Sequence, residues 1–174
     1  IEEAFKVCSK PAAIEHKYDG FRMLISKEGK EIKLFTRRLE NVTAQFPDVV
    51  EAVRKNVKGE SFMLDSEVVG FDPETKVYKP FEAISQRIKR KYEIEKLVKQ
   101  LPVEVNIFDI VYYNDKSLLA LPFKERRKII EKIVSPIKSK IRIAEQIITG
   151  DEKEALEFYK EALKLGEEGI MVKN

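Results

Sequence analysis

The residue types most suited to chemistry lie near the start of the chain, at residues 15–22, Glu-His-Lys-Tyr-Asp-Gly-Phe-Arg. A lysine amine attacks a phosphorus atom only when the amine is neutral and in line with the leaving group. Free lysine has a pKa of roughly 10.4, so only about one molecule in two thousand is neutral at pH 7. The motif therefore indicates covalent nucleotidyl transfer through Lys17, if neighbouring cations or a metal ion favour the neutral amine.

The same residues have a second interpretation, a β-hairpin. Asp19-Gly20 lies between two apolar runs, which is a strong turn signal, and Lys17 would then be an exposed neighbour of the turn. In the first interpretation, Gly20 lets the backbone approach a bound ligand closely. Lys-x-Asp-Gly alone favours the hairpin, since it is expected by chance in roughly one of twenty chains of this length.

Two longer strand-like runs carry polar or aromatic side chains. Alternation along residues 61–72 places Asp65 and Glu67 on one face, where buried carboxylates need a facing cation or polar ligand. An edge strand with a solvated face is the alternative. In residues 103–113, Phe108 alternates with Asp109 and is either part of the core or a platform on which a base stacks.

Several charged segments allow two interpretations each. Arg37-Arg38 at the end of a strand either holds a phosphate or lies on the surface, and the basic run 87–91 is either a solvated helix face or a grip on a nucleic-acid backbone. Glu167-Glu168 stands at the entrance of a strand or in a charged loop. His16 alternates away from its neighbours, which predicts a packing or surface residue.

Composition limits the class of protein. The 174 residues are 43% hydrophobic and 36% charged, and the excess of lysine and glutamate suggests a heat-loving source. A net charge of +3 is too small to indicate nucleic-acid binding alone, and one cysteine excludes an internal disulfide. One histidine and one cysteine leave no ordinary zinc site, and no apolar run has membrane-spanning length. The first residue is Ile1 rather than Met, so we expect a piece of a longer protein.

The periodicities predict an α+β domain with mostly antiparallel sheets flanked by helices. Asp151 and Glu154 have capping-box spacing, and Gly166 is a predicted helix stop. The predicted helices cover 1–9, 47–57, 80–99, 122–134 and 151–165, and the predicted strands cover 21–27, 31–36, 61–72, 103–113, 140–147 and 169 onward.

Taken in order over the whole chain, these segments resemble the adenylation domain of ATP-dependent DNA ligases of the archaeal and eukaryotic replicative type. The resemblance implies an ATP-grasp-like covalent nucleotidyltransferase fold. The matching segments are Glu-x-Lys-x-Asp-Gly-x-Arg at 15–22, Phe-Thr-Arg at 35–37, Leu-Asp-Ser-Glu at 64–67, Phe-Asp at 108–109 and Glu-Gly-Ile-Met-Val-Lys at 168–173.

The resemblance also implies roles at the nucleotide. Lys17 would attack the α-phosphate of ATP and form lysyl-AMP, and Glu15 would accept a hydrogen bond from the adenine amino group. Arg22 and Glu67 would contact the ribose or phosphate, and Phe108 would stack on the base.

Further implied roles concern the metal ion and the DNA. Lys173 would also bind the nucleotide, and Glu168 would help to place Mg2+, with Glu67 sharing that work. Arg37, and not Arg38, would read the 5′-phosphate of a nick in double-stranded DNA.

The resemblance leads to wider expectations. Residues 1–174 would form one adenylation domain that stops before the next family motif and the oligonucleotide-binding domain, so it would hold ATP or AMP but seal nicks poorly. A sliding clamp would bind through a preceding region, in the cytoplasm of an archaeon or the nucleus of a eukaryote. An RNA ligase, an mRNA capping guanylyltransferase and a non-catalytic nucleic-acid-binding module are the alternatives.

Overall fold

Two units share the chain, and the first is built from both of its ends. The computed structural model describes residues 1–8 and 10–174; unit 1 comprises residues 1–19 and 144–174, and unit 2 comprises residues 20–143. The helices of the described residues are α1 Glu2–Val7, α2 Pro47–Asn56, α3 Phe81–Lys89, α4 Ile94–Gln100, α5 Phe123–Ile133 and α6 Glu152–Lys164. The strands are β1 Ala12–Lys17, β2 Phe21–Glu28, β3 Glu31–Thr36, β4 Ser61–Phe71, β5 Tyr78–Lys79, β6 Val103–Tyr113, β7 Lys116–Ser117, β8 Ile141–Ile143, β9 Gln146–Thr149 and β10 Gly169–Lys173.

Unit 1 is a three-stranded antiparallel sheet in the order β10-β1-β9. Alternation along β1 sends Ile14 and His16 to one face and Glu15 and Lys17 to the other. The apolar face packs on α1 and α6. Its buried core consists of Phe5, Ala12, Ile14, Ala155 and Phe158. His16 is buried with its ring centroid 4.5 Å from that of Phe158, so of the two predicted possibilities, a packing or a surface residue, the structure shows packing.

The start of α6 shows why the sequence forms a helix there. The Asp151 side chain accepts hydrogen bonds from the backbone N–H groups of Lys153, at 2.7 Å, and Glu154, at 3.1 Å. The predicted reciprocal half of the capping box is absent, because the Glu154 carboxylate accepts from Thr149 Oγ1 at 2.6 Å instead. Gly166, with φ of 84°, follows the end of the helix as predicted.

Unit 2 is a seven-stranded sheet in which β3, β2, β4, β6 and β7 follow one another and β5 and β8 pair with β4 and β6. All pairings are antiparallel except that of β6 with β8. The hairpin predicted between β2 and β3 is confirmed, with Gly29 at φ of 55°. One face buries Met23, Ile25, Leu64 and Val68 under α2 and its neighbours. The α+β, mostly antiparallel prediction is confirmed.

Two local predictions were wrong, and one alternative interpretation is excluded. The helix predicted over 80–99 is two helices, because Glu93 has a left-handed backbone with φ of 56° and interrupts the run. The strand predicted over 140–147 is also two: β8 pairs with β6 of unit 2, and β9 pairs with β1 of unit 1. No hairpin forms at Asp19-Gly20, since β1 pairs with β9 and β10 whereas β2 pairs with β3 and β4.

Gly20 is required for packing within unit 2. A Cβ atom at this position would lie 2.3 Å from the backbone oxygen of Val68 on β4. The close approach that the sequence suggested is therefore an approach to β4 itself. None of the helices formed by residues 1–8 and 10–174 is both long and apolar enough to cross a membrane.

Candidate active site

One face of the sheet in unit 1 gathers residues from its three strands. Glu15 pairs in register with Met171 of β10 on one side and Gln146 of β9 on the other. Lys17 lies two residues further along β1, and Lys173 lies two residues beyond Met171. Because alternate residues of a strand share a face, Glu15, Lys17 and Lys173 face the same way. The structure thus brings three predicted site residues together.

Glu15 is 2% exposed and held from two sides. The Lys173 ammonium forms an ion pair with Glu15 Oε2, and Gln146 Nε2 donates a hydrogen bond to Oε1 at 2.8 Å. A buried carboxylate needs such partners to offset its desolvation. Sequence reasoning missed Gln146, because nothing in residues 140–147 shows that this segment borders β1.

Lys17 lies where β1 ends, in contact with the residue that precedes β10. Its ammonium forms an ion pair with the Glu168 carboxylate, and both side chains are about half exposed, at 49% and 42%. The Glu168 backbone N–H also donates to the Lys17 carbonyl at 2.9 Å. An open cavity of about 600 Å³, lined in part by Lys17, Glu168, Gly169 and Tyr159, adjoins the pair. The amine is therefore fixed at its base and accessible at its tip.

Two contacts fix the loop that follows Lys17. Glu167 is 5% exposed, and its Oε2 accepts a hydrogen bond from the Asp19 backbone N–H at 3.3 Å. The Tyr18 hydroxyl accepts from the Glu145 backbone N–H at 3.0 Å. Of the paired acids at 167–168, one thus orders the loop and the other faces the lysine, a division that their sequence does not reveal.

In unit 2, Arg22 on β2 faces Asp65 on β4. Arg22 Nε lies 2.8 and 3.1 Å from the two Asp65 oxygens, and a terminal guanidinium nitrogen also contacts Asp65. Asp65 is buried, whereas half of the Arg22 side chain is exposed. The hydrogen bonds that Arg22 donates to Asp65 raise the pKa of Arg22 above its usual value, with the charges of Asp65, Glu67 and Asp109 adding to the effect. The predicted cation opposite the carboxylate strand is confirmed.

Asp109, beside the predicted base platform, has a structural partner. Its two carboxylate oxygens accept hydrogen bonds from Arg126 on α5, one from Nε at 2.7 Å and one from a terminal guanidinium nitrogen at 2.9 Å. This bidentate pair raises the pKa of Arg126. Phe108 lies at a β-bulge, since Asp65 pairs with Asp109 while the next residue of β4 pairs with Ile107. Phe108 is half-buried. Bulges are common beside active sites because they re-aim side chains.

Asn106 on β6 is a buried polar residue that the sequence analysis did not single out. It pairs in register with Glu67 on β4 and with Arg142 on β8, and it is completely buried. Within the part of the chain that the structure describes, neither its amide nitrogen nor its amide oxygen has a hydrogen-bond partner. An unsatisfied buried polar group costs about 1–3 kcal/mol.

Arg37 lies in the exposed turn after β3. The turn is closed by the Thr36 backbone N–H, which donates to the Glu40 carbonyl at 3.0 Å, and by Leu39 at φ of 61°. Arg38 is exposed in the same turn, and neither arginine has an ion pair with residues 1–8 or 10–174. Both cations are available to an anion, so exposure does not distinguish them.

The two predicted metal-binding residues lie in different units, Glu67 in unit 2 and Glu168 in unit 1. No group of three or more histidine, cysteine, aspartate or glutamate side chains among the described residues is arranged to hold a metal ion. Mg2+ is usually bound by one or two carboxylates together with substrate phosphates and water. The metal-binding roles of Glu67 and Glu168 therefore stay predictions.

The sequence profile of the "ATP dependent DNA ligase domain" family matches residues 1–174, the entire chain. The chain belongs to this family. The predicted resemblance and its ATP dependence are therefore confirmed, and the RNA ligase and capping-enzyme alternatives are not favoured.

Curated relatives agree with this assignment. The chain is 49% identical over 174 residues to the DNA ligase of Nanoarchaeum equitans, 48% identical over 168 residues to DNA ligase 2 of Methanosarcina mazei, and 39% identical over 173 residues to the DNA ligase of Thermococcus onnurineus. These matches cover 100%, 95% and 99% of this chain but only 31%, 29% and 30% of the relatives. The chain therefore spans about a third of the length of these archaeal proteins.

Solved structures show the same fold. The mycobacterial DNA ligase D complexed with ATP and MES matches with a TM-score of 0.66 and 23% identity, over 95% of this chain and 48% of that one. The Chlorella virus DNA ligase-adenylate matches with a TM-score of 0.59 and 16% identity, over 96% and 55%. The predicted fold is thereby confirmed as the one that these DNA ligase structures share.

Proposed function

We propose that Lys17 accepts AMP from ATP in the first step of DNA ligation. The lysine nitrogen forms a bond to the α-phosphorus, the bond from that phosphorus to the bridging oxygen breaks, and pyrophosphate leaves with the electron pair. The ammonium releases one proton to solvent before the attack, and the nitrogen releases a second as the lysyl-AMP bond forms. Solvent reaches the nitrogen because the side chain is 49% exposed. The observation that carries the proposal is the accessible Lys17 tip beside the Glu168 carboxylate.

The remaining residues of unit 1 would orient the base. Glu15 accepts a hydrogen bond from the adenine amino group and thereby selects adenine over guanine, while Lys173 and Gln146 hold the carboxylate in place. Lys173 also contributes to nucleotide binding.

The residues of unit 2 would contact the rest of the nucleotide. Arg22, fixed by Asp65 and half exposed, offers its free edge to the ribose or a phosphate together with Glu67. Phe108 supplies a ring for stacking on the base. Glu168, assisted by Glu67, would hold Mg2+, which neutralises phosphate charge when bound.

For the whole protein, we propose transfer of AMP to the 5′-phosphate of a nick in double-stranded DNA, followed by displacement of AMP by the neighbouring 3′-hydroxyl. Arg37 would read that phosphate, which its exposed turn permits. Residues 1–174 would form the adenylation domain, which alone seals nicks poorly, and a sliding clamp would bind outside it. The archaeal relatives support the cytoplasm as the compartment.

The test is incubation of the chain with Mg2+ and ATP labelled on the α-phosphate, followed by denaturation. We expect an acid-labile, base-stable adduct from ATP but not from GTP. Lys17→Ala should abolish it, whereas Lys153→Ala, an exposed lysine of α6 in the same unit, should leave it unchanged.

Two results would contradict the proposal. An adduct that persists in Lys17→Ala would assign the nucleophile elsewhere, and labelling by GTP would indicate a capping enzyme. If this chain gives no adduct, the assay is repeated with the full-length protein, where a second failure overturns the assignment.

A further inference from the structure

The positive charge of the chain is concentrated in one short segment. Residues 89–99 contain five lysine and arginine residues and two glutamates, a net charge of +3, which equals the net charge of all 174 residues. The rest of the sequence is therefore neutral overall. Within the basic run 87–91, Arg87 lies in a different environment from Lys89, Arg90 and Lys91.

Arg87 is completely buried and structural. Its guanidinium forms an ion pair with Asp48, donates to the carbonyls of Gln45 and Leu101 at 3.1 Å each, and lies 4.5 Å from the centre of the Phe46 ring. Its buried charge is thus matched by a carboxylate and two carbonyls.

The following residues, Lys89 to Tyr92, form an exposed platform, called here the basic turn. Lys89, Arg90 and Lys91 are exposed, and Tyr92 is 81% exposed. An open groove of about 530 Å³ is lined by Gln86 and these four residues. Lys89 and Lys91 form no ion pair with any described residue.

The basic turn is anchored at both ends. Before it, Gln45 Nε2 donates to the Ile88 carbonyl at 3.3 Å, and after it Arg87 donates to the Leu101 carbonyl at the end of α4. The left-handed backbone of Glu93 turns the chain between the two helices. A platform fixed in this way loses little conformational entropy when a partner binds.

We infer that the basic turn is a docking surface for the backbone of duplex DNA. The three cations match a row of phosphates, and an exposed tyrosine beside them packs on the sugars and excludes water. This inference rests on the proposed function for its partner, because DNA is the substrate assigned there. An acidic protein surface is the competing occupant, and the test below distinguishes the two.

The experiment measures binding of this chain to a fluorescent nicked duplex by anisotropy across a salt series. Replacing Lys89, Arg90 and Lys91 by glutamine should weaken binding by about tenfold or more at 0.1 M salt and reduce the slope of log K against log salt by about 2–3. The matched control replaces Lys124, Lys128 and Lys132, three exposed lysines of α5, by glutamine and should change both values little. Tyr92→Ala should weaken binding about threefold to tenfold, and Tyr92→Phe should restore it.

Four outcomes would overturn the inference. An equal loss of DNA affinity in the basic-turn and α5 variants would show that DNA binds through the overall charge of the chain and not through this surface. Wild-type affinity in the basic-turn variant, or no salt-dependent duplex binding by the chain, would assign the surface to another partner. Tighter binding of single-stranded DNA would also overturn it. Lysyl-AMP formation is also assayed in every variant, because a loss of the adduct would concern the proposed function and not DNA docking. Thermal unfolding confirms that each variant is folded.

Discussion

Unit 1 and unit 2 carry their charges in different ways. In unit 1 the ion pairs Lys17–Glu168 and Glu15–Lys173 join residues from opposite ends of the chain, the latter 158 positions apart. In unit 2 the pair of Arg22 with Asp65 joins neighbouring strands of one sheet. Lys17, the proposed nucleophile, therefore depends on long-range pairing of a small sheet. Arg22, the proposed contact to the ribose or a phosphate, belongs to a larger sheet with a larger core.

The largest effect expected in unit 2 comes from its buried arginine. Arg87→Met should lower the free energy of unfolding by about 3–5 kcal/mol, because it leaves Asp48 and two backbone carbonyls without their partner. Urea unfolding measures the change. Arg90→Met, whose side chain is 53% exposed, is the control and should change stability by about 0.5 kcal/mol or less. Equal effects at the two sites would contradict the structural role of Arg87.

A matched pair of isoleucines compares the two cores directly. Ile14 on β1 and Ile25 on β2 are both completely buried, and alanine at either should cost about 2–5 kcal/mol. Only Ile14→Ala should also impair lysyl-AMP formation, since it loosens the strand that carries Lys17. The labelling assay is run at a temperature where both variants are folded. Full labelling by Ile14→Ala would show that the small core does not position the nucleophile.

Replacement of Asn106 should stabilise the protein, in contrast to the two preceding substitutions. Asn106→Leu should raise the free energy of unfolding by about 1–2 kcal/mol, because an amide without hydrogen-bond partners is replaced by an apolar side chain of similar shape. Thermal unfolding checks this. Asn56→Leu is the control: Asn56 donates to the Ala52 carbonyl at 2.8 Å, so it should gain nothing. A destabilised Asn106→Leu variant would indicate that the amide is needed where it is.

The smallest effect is the pH dependence of a surface turn in unit 2. Hydrogen bonds from the backbone of Thr75 and the side chain of Lys79, with one from the backbone of Glu74, lower the pKa of Asp72 to about 2, from an ordinary 3.8. A carboxylate with a depressed pKa in the folded state stabilises the turn above its unfolded pKa, and this contribution is lost as pH falls from about 4 to about 2. NMR titration of the Asp72 carboxyl checks the value, and Asp72→Asn should remove the pH dependence. A midpoint near 3.8 would contradict the hydrogen-bonded turn.

Local patterns predicted much of unit 2 and less of unit 1. Strand β6, the β2–β3 hairpin and the shared face of Asp65 and Glu67 follow from alternation and turn residues close together in sequence. The pairing of β1 with β9 and β10 does not, because no local signal specifies a strand partner so distant in sequence.

Individual site residues show the same limit. Lys17 was identified from its motif, yet its contact with Glu168 and the contact of Gln146 with Glu15 needed the three-dimensional sheet. The burial of Arg87 could not be predicted from the sequence, because Arg87 belongs to a basic run whose other cations are exposed. Left-handed Glu93 was likewise unexpected, since that backbone is uncommon for residues other than glycine.

The pairing of β1 with β10 has a consequence during synthesis on the ribosome. Residues 20–143 can fold as they emerge, because the strands of unit 2 need no later partner. Lys17 emerges early but has neither Gly169 as its strand partner nor Glu168 beside it until residues 168 and 169 are translated. A chain released before residue 168 would therefore carry Lys17 without the strand partner and the carboxylate that hold it in the folded protein.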